Sequence, residues 1–412
     1  MNTTEAYQQA KQKYAEQDVD TDRALKTLQQ KPISIHCWQT DDVTGLEKNT
    51  TKGGGILATG NQPGRARNIQ EIWTDLKKLL SLTPGTKRIN IHAMYGNYTV
   101  DRDQIKPEHF QDWINWAQTH NVKLDFNPTL FAHPKADTGF TLSSKDPAIR
   151  EFWITHVKRC REIADHIGRE QGSPCMHNLW IPDGMKDITI DRMGYRTHLR
   201  ESLDTIYAEK HSHIKDSLES KLFGIASETY VVGSHDFYQA YTLTHGLIPC
   251  LDTGHYHPTE SVADKITSTL QYAPEILLHI SRGVRWDSDH IPIQDTQTQD
   301  IFHELVRSNT LNRAHIALDY FDASINRIGA YHIGIRATQK ALLYALLEPT
   351  QTLREHEEAD EYYQRLALLE EQKTMPIGAV WDHYCTQNNA PTGTQLIKEI
   401  QQYEKQVLSK RR

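Results

Sequence analysis

The stretch VRWDSDH, residues 284–290, sets Asp287 and Asp289 one residue apart and follows them with His290. In an extended segment alternate side chains share a face, so both carboxylates point the same way. Two carboxylates held side by side repel each other unless a cation or a proton lies between them. Residues of the same chemistry end several apolar runs. His279 follows EILL, Asp319 follows IAL, and PCLDTGHYHP supplies Asp252 with His255 and His257 just beyond, while Glu219 stands just before KLFGI. Acids and imidazoles that end buried strands cost free energy unless they are paired. Glu219, Asp252, His255, His279, Asp287, Asp289 and Asp319 contain no cysteine, and suit a divalent ion such as Mn²⁺, Mg²⁺ or Co²⁺ better than a cysteine-type zinc site. They outnumber what one ion takes when water keeps its share of positions, so two nearby ions sharing a carboxylate are expected. Taken singly the residues have plainer readings: His279 as a hydrogen-bonded core histidine, Asp252 as a helix cap, His257 and His290 as solvent or outer contacts.

Such residues need a scaffold that brings distant segments to one place. Short apolar runs recur at PISIHCW (32–38), KRINIHAMY (87–95), VKLDFNPTLF (122–131), MHNLWIPDG (176–184), SKLFGIAS (220–227), GLIPCLDTG (246–254), EILLHISRG (275–283) and RAHIALDYF (313–321). Each is near strand length and bounded by polar or turn residues, as buried parallel strands are. Amphipathic segments at 69–82, 109–120, 149–168 and 298–309 lie between them. Strand–helix alternation repeated in this way predicts an α/β fold, a (β/α)8 TIM barrel, whose active site forms at the C-terminal ends of the strands. A doubly wound sheet is less well supported, because no G-x-G-x-x-G follows the first strand; GGGI at 53–56 reads as a loop tip. The expected organisation is an N-terminal helical extension over 1–30, a barrel over 31–348 and a C-terminal helical extension over 349–412 that includes the charged helix REHEEADEYYQRLALLEEQ.

The 412 residues are 38% hydrophobic and 24% charged, within the range of folded globular chains. The formal net charge of −7 and the lack of a long basic block argue against nucleic acid as a partner. The opening MNTTEAYQQAKQKYAEQDVD is polar and no run reaches membrane-spanning length, so a cytoplasmic location without membrane contact is expected. Cys37, Cys160, Cys175, Cys250 and Cys385 are scattered and odd in number, which fits reduced thiols rather than a disulfide framework.

CLDTGHYHPTE, LLHISRGVRWDSDH, ALDYFDASINRI and ESKLFG closely resemble the L-rhamnose isomerase family, as do HCWQTDDV, ATGNQPGRARN, DFNPTLFAHP and IPDGMKDITIDR. The resemblance runs from about residue 30 to 350. It implies a tetrameric barrel enzyme that interconverts L-rhamnose and L-rhamnulose with Mn²⁺ or a related ion (Mg²⁺, Co²⁺, Zn²⁺), two ions per subunit. One ion is then held at positions matching Glu219, Asp252, His279 and Asp319, the other at His255, Asp287 and Asp289. Lys221 matches a lysine placed near the substrate oxygens. The E-x-K, D-x-x-H and D-x-D pattern is also similar to that of xylose isomerase, so broader action on mannose, lyxose or xylose is the alternative.

An aldose–ketose isomerase opens the sugar ring and moves hydrogen between C1 and C2. His92, ending KRINIHAMY, is the candidate for ring opening, and Asp319 for a base in an enediol route; a hydride shift stays equally open. Trp38 and Trp180 are expected to wall the apolar sugar face, with Lys221 and His255 also touching substrate. Two rival classes remain, a metal-dependent hydrolase or endonuclease and a non-catalytic sugar-binding protein.

Overall fold

The computed structural model describes the chain apart from residues 1, 48–55, 57, 285 and 412, and describes residues 286–289 by their backbone only. Eight parallel strands close into a barrel. They are β1 (Ile33–His36), β2 (Lys87–His92), β3 (Lys123–Asn127), β4 (Cys175–Leu179), β5 (Ile214–Glu219), β6 (Ile248–Asp252), β7 (Ile276–Ile280) and β8 (Ala314–Leu318). Neighbours in sequence are neighbours in the sheet, and β1 closes on β8 with Ser34 opposite Ala317. The strand–helix alternation therefore gives the barrel that the sequence predicts.

Helices at Ile69–Leu82, Pro147–Glu170 and Thr296–Arg307 cover the outside close to the predicted spans, and Gln111–Thr119 follows a 3₁₀ turn at Pro107–Phe110. Their starts are set by side chains. Asn68, Asp146 and Asp295 each accept a backbone N–H of the first turn, and Pro147 fits the first helical position because its missing N–H has no partner there.

One strand lies elsewhere than the apolar runs suggest. SKLFGIAS (220–227) is not a strand; β5 precedes it as IKDSLE. Lys215, Asp216 and Ser217 hide that strand from a hydrophobicity reading, but each face of it has polar partners. Asp216 pairs with Arg161 and His177 on one side, and Lys215 pairs with Glu275 on the other. Residues 220–227 instead form a loop in which Ala226 takes φ 69°. Glu219 thus ends a strand rather than preceding one, which puts it at the same rim as Asp252.

Parity along the strands decides what enters the bore. Leu251, Leu278 and Leu318 point outward into the large core shared with the helices. Met176, Ile248, Cys250, Leu277 and Ala317 form a separate small cluster on the opposite parity, facing inward. On the same inward parity, one step toward the strand ends, come Asn178, Glu219, Asp252, His279 and Asp319.

Outside the barrel, helices Thr3–Ala15 and Thr21–Gln30 precede β1, and helices from Thr350 to Gln406 follow Arg327–Leu346. The two ends pack on each other, with Tyr7 stacked on His383 at a ring separation of 3.8 Å. The charged stretch 354–372 is two helices, Thr350–Glu358 and Tyr362–Gln372, parted where Asp360 takes φ 59°. No described helix is long and apolar enough to cross a membrane. Of GGGI, residues 53–55 lie outside the described residues.

Candidate active site

Register alone brings the acids and imidazoles together. In the parallel ladders Glu219 lies opposite Cys250, Cys250 opposite Leu277, and Asp252 opposite His279. His279 is also opposite Ala317, so Asp319, just past the end of β8, continues the inward row. Ligand atoms of Glu219, Asp252, His279 and Asp319 all lie within 4.8 Å of one another. His279 Nδ1 stands 3.1 Å from Glu219 Oε2, 3.4 Å from Asp319 Oδ2 and 3.8 Å from Asp252 Oδ2.

These short distances do not close into hydrogen bonds. Both ring nitrogens of His279, and Asp252 Oδ2, are buried without a partner in hydrogen-bond geometry. Buried polar atoms that are left unmatched are costly, and donor atoms converging on common space rather than on each other fit a cation. The remaining lone pairs are held in place from behind. Asn178 Nδ2 donates to Glu219 Oε2 at 2.5 Å, and Ser281 Oγ and the Gly254 N–H donate to Asp252 Oδ1 at 2.8 and 2.7 Å. Trp38 Nε1 donates to Asp319 Oδ1 at 3.1 Å. Three carboxylates and an imidazole with such support are a hard-ion donor set.

The electrostatics agree. Burial pushes the Asp252 carboxyl up to about 8, and the neighbouring Glu219 and Asp319 charges push the same way, against His255. Burial also opposes charge on Glu219, yet His279 and His255 hold it well below the ordinary carboxylate value. Burial works against charge on His279 as well, but Cys250, Glu219 and Asp319 raise it well above the usual imidazole range. The protein by itself thus keeps one proton on the acids where a cation would otherwise sit.

A family model described as L-rhamnose isomerase (RhaA) matches residues 1–411. The chain belongs to the L-rhamnose isomerase family. It is an isomerase enzyme, and the match includes both helical extensions, beyond the resemblance read at residues 30 to 350. The L-rhamnose isomerase of Bacteroides thetaiotaomicron is 55% identical over 410 residues, covering 98% of each chain. That of Rhodopirellula baltica is 51% identical over 415 residues, covering 100% of this chain and 97% of its own, and that of Salmonella gallinarum 51% over 412, covering 99% and 98%. The solved structure of a xylose isomerase domain protein from Alicyclobacillus acidocaldarius is 12% identical with a TM-score of 0.47, covering 77% of this chain and 99% of that one.

In this member of the family the other sequence-predicted residues fall as follows. His255 follows β6 with Nδ1 3.2 Å from Glu219 Oε1 and 3.1 Å from the Ser220 carbonyl, so it joins the group from the Glu219 side. The backbone of Trp286–His290 is a strand paired with Arg282–Val284. The side chains of Asp287 and Asp289 lie outside the described residues. His290 is exposed, and exposed His257 bonds to Thr259, in keeping with their plainer readings.

Lys221 sits just beyond β5 with Nζ 5.1 Å from the centre of the Trp180 ring. Phe131 bridges Trp180 and His92 edge to face, and Trp38 meets His92 with ring centres 4.6 Å apart. His92 Nδ1 faces the Pro128 carbonyl at 3.2 Å, and burial pushes its pKa down to about 3, so the imidazole is neutral. Asn178, Ser281 and Phe131 were missed because amide, hydroxyl and isolated aromatic side chains carry no spacing signal. Their strand parity was the available clue: Asn178 is two residues before Trp180 and therefore shares its face.

Proposed function

We propose that the chain interconverts L-rhamnose and L-rhamnulose as a divalent-metal-dependent aldose–ketose isomerase. The convergence of Glu219, Asp252, His279 and Asp319 at the mouth of the barrel, in a chain of this family, carries the reading. These four would hold one ion, and His255, Asp287 and Asp289 a second. Mn²⁺ is the expected occupant, with Mg²⁺, Co²⁺ or Zn²⁺ able to stand in. Bound there, such ions stabilise negative charge on the sugar oxygens and lower the pKa of a coordinated hydroxyl.

The chain's own residues then have separable tasks. His92 keeps Nδ1 toward the Pro128 carbonyl, so Nε2 carries the lone pair that can take the proton of a ring hydroxyl during opening. Lys221 adds positive charge near the carbonyl oxygen, and its place over Trp180 supports this. Trp38, Trp180 and Phe131 offer flat apolar surface to the C–H face and the methyl group of the sugar. Asp319, with one oxygen fixed by the Trp38 N–H, is the base in an enediol route.

The test is an assay for L-rhamnose to L-rhamnulose on chelated protein, titrated with Mn²⁺, Mg²⁺, Co²⁺ and Zn²⁺. No turnover with any of them would remove the reading. Full retention of the C2 hydrogen in the product assigns a hydride shift, and exchange with solvent assigns the enediol. Trp180→Ala should raise KM for rhamnose more than for a pentose that lacks the methyl.

The proposed setting is cytoplasmic, and the proposed assembly a homotetramer in which residues 349–412 contribute contacts outside the 31–348 catalytic barrel. Exposed Tyr362, Tyr363 and Leu366 on helix Tyr362–Gln372 support this, since large apolar side chains at 54, 83 and 60% exposure suit a covered face. Tyr363→Glu with Leu366→Glu should lower the sedimenting mass.

A further inference from the structure

Cys250 stands one inward step below Asp252 on β6, on the same face as the hard-ion donors. It is opposite Glu219 in the β5–β6 ladder and two residues before Asp252. Ligand atoms of Glu219, Cys250 and His279 all lie within 4.8 Å of one another. All three residues are buried, at 3, 3 and 0% exposure. A tetrahedral ion with sulfur at ~2.3 Å and nitrogen or oxygen at ~2.0–2.1 Å spreads its ligand atoms over less than that distance.

Two observations point to a ligand rather than to packing alone. Both ring nitrogens of His279 are buried without a hydrogen-bond partner in good geometry. A cavity of about 260 Å³ also runs from the strand N-termini up to His279, lined on the way by Met176, Leu277 and Ala317. Those three pack with Cys250 in the inward cluster, so the thiol has polarisable, apolar surroundings on one side and an acid–imidazole pair on the other.

We infer that Glu219, Cys250 and His279 form a further, deeper metal site, selective for strongly thiophilic divalent ions such as Cd²⁺. The thiol proton and the proton on the coordinating His279 nitrogen leave to the buffer as the metal binds, and water completes the coordination. Soft ions prefer sulfur, whereas Mn²⁺ and Mg²⁺ prefer the oxygens of Asp252 and Asp319 above. The two sites share Glu219 and His279 and are mutually exclusive. Resting on the hard-ion reading, this makes a thiophilic ion an inhibitor of Mn²⁺-dependent turnover.

The test is a Cd²⁺ titration of the chelated full-length protein, followed by the ultraviolet sulfur-to-cadmium charge-transfer absorption. The band should saturate at a single ion per chain, vanish in Cys250→Ser and persist in Cys160→Ser, whose sulfur lies on an outer helix. Anomalous diffraction from a cadmium-soaked wild-type crystal should place the ion in bonding distance of Cys250 Sγ, which decides the matter even if the serine variant folds poorly. No band in wild type, a band surviving in Cys250→Ser, or an ion bonded to Asp252 and Asp319 without sulfur overturns the site. Cadmium that gives the band yet leaves Mn²⁺ turnover untouched overturns the shared-ligand arrangement. Failure of Mn²⁺ itself to support turnover overturns the hard-ion reading while leaving the sulfur site standing.

Discussion

At the base of the bore Arg88 grips both oxygens of Asp125 at 2.9–3.0 Å, and Lys215 reaches Glu275, which also meets His315 at 3.0 Å. At the mouth Glu219, Asp252 and Asp319 converge on one another and are met by the imidazoles of His279 and His255. Both ends bury charge, but the base matches each acid with a permanent cation while the mouth gathers like charges and keeps a proton among them. A buried pair of opposite ions with its other hydrogen bonds satisfied is structural. Asp125 fits that description, since Ser34 Oγ and the Met176 N–H also donate to it at 2.6 and 2.9 Å. A buried group with surplus negative charge and unmatched lone pairs holds free energy that only a cation releases. The contrast separates scaffold from site within a single bore.

The largest way to break that contrast is chelation. Removing divalent ions should abolish rhamnose turnover and adding Mn²⁺ should restore it, with the far-ultraviolet dichroism unchanged because the base pairs still hold the barrel. Retained turnover in chelator would sink the division of roles. Next comes Asp125→Ala, which leaves Arg88 buried without its partner and should cost roughly 3–5 kcal/mol in denaturant unfolding. Metal affinity of the folded variant should stay near the wild type's; a large loss there would show that the base reaches the site.

At the mouth the order of effects reverses. Asp252→Asn should weaken metal binding and turnover by ~100-fold or more, the upper end of what losing even an outer partner costs. The metal-free stabilities should match only near or below pH 3.8, where Asp252 carries a proton in the folded and unfolded states alike. The pH dependence sharpens this. A carboxyl raised from 3.8 to about 8 on folding favours the folded state fully below 3.8 and loses that contribution progressively as pH rises to about 8. In chelator the asparagine variant should therefore gain on wild type as pH is raised through that window, measured by parallel denaturant melts. A difference that stays flat with pH removes the proton from Asp252. The smallest effect is expected for Trp38→Phe, which deletes the N–H donated to Asp319 and should lower metal affinity about tenfold.

Much of this was legible in the chain itself. Apolar runs alternating with amphipathic segments specify a closed parallel barrel, because such strands bury both faces and each must be covered. Acids and imidazoles at the ends of those runs specify a metal-type rim, and long motifs specify the family. The sequence could not reveal β5, whose polar Lys215 and Asp216 are made affordable by Glu275 just before β7, His177 on β4 and Arg161 on a distant helix. Nor could it show that Asn178 and Ser281 brace the donors, or that Cys250, one register step below Asp252, shares space with Glu219 and His279. Sequence determined which chemistries were present and which face of each strand they take. Only closure of the sheet decided which neighbours they meet, because register between strands hundreds of residues apart is set by packing around the whole bore and not by any local signal.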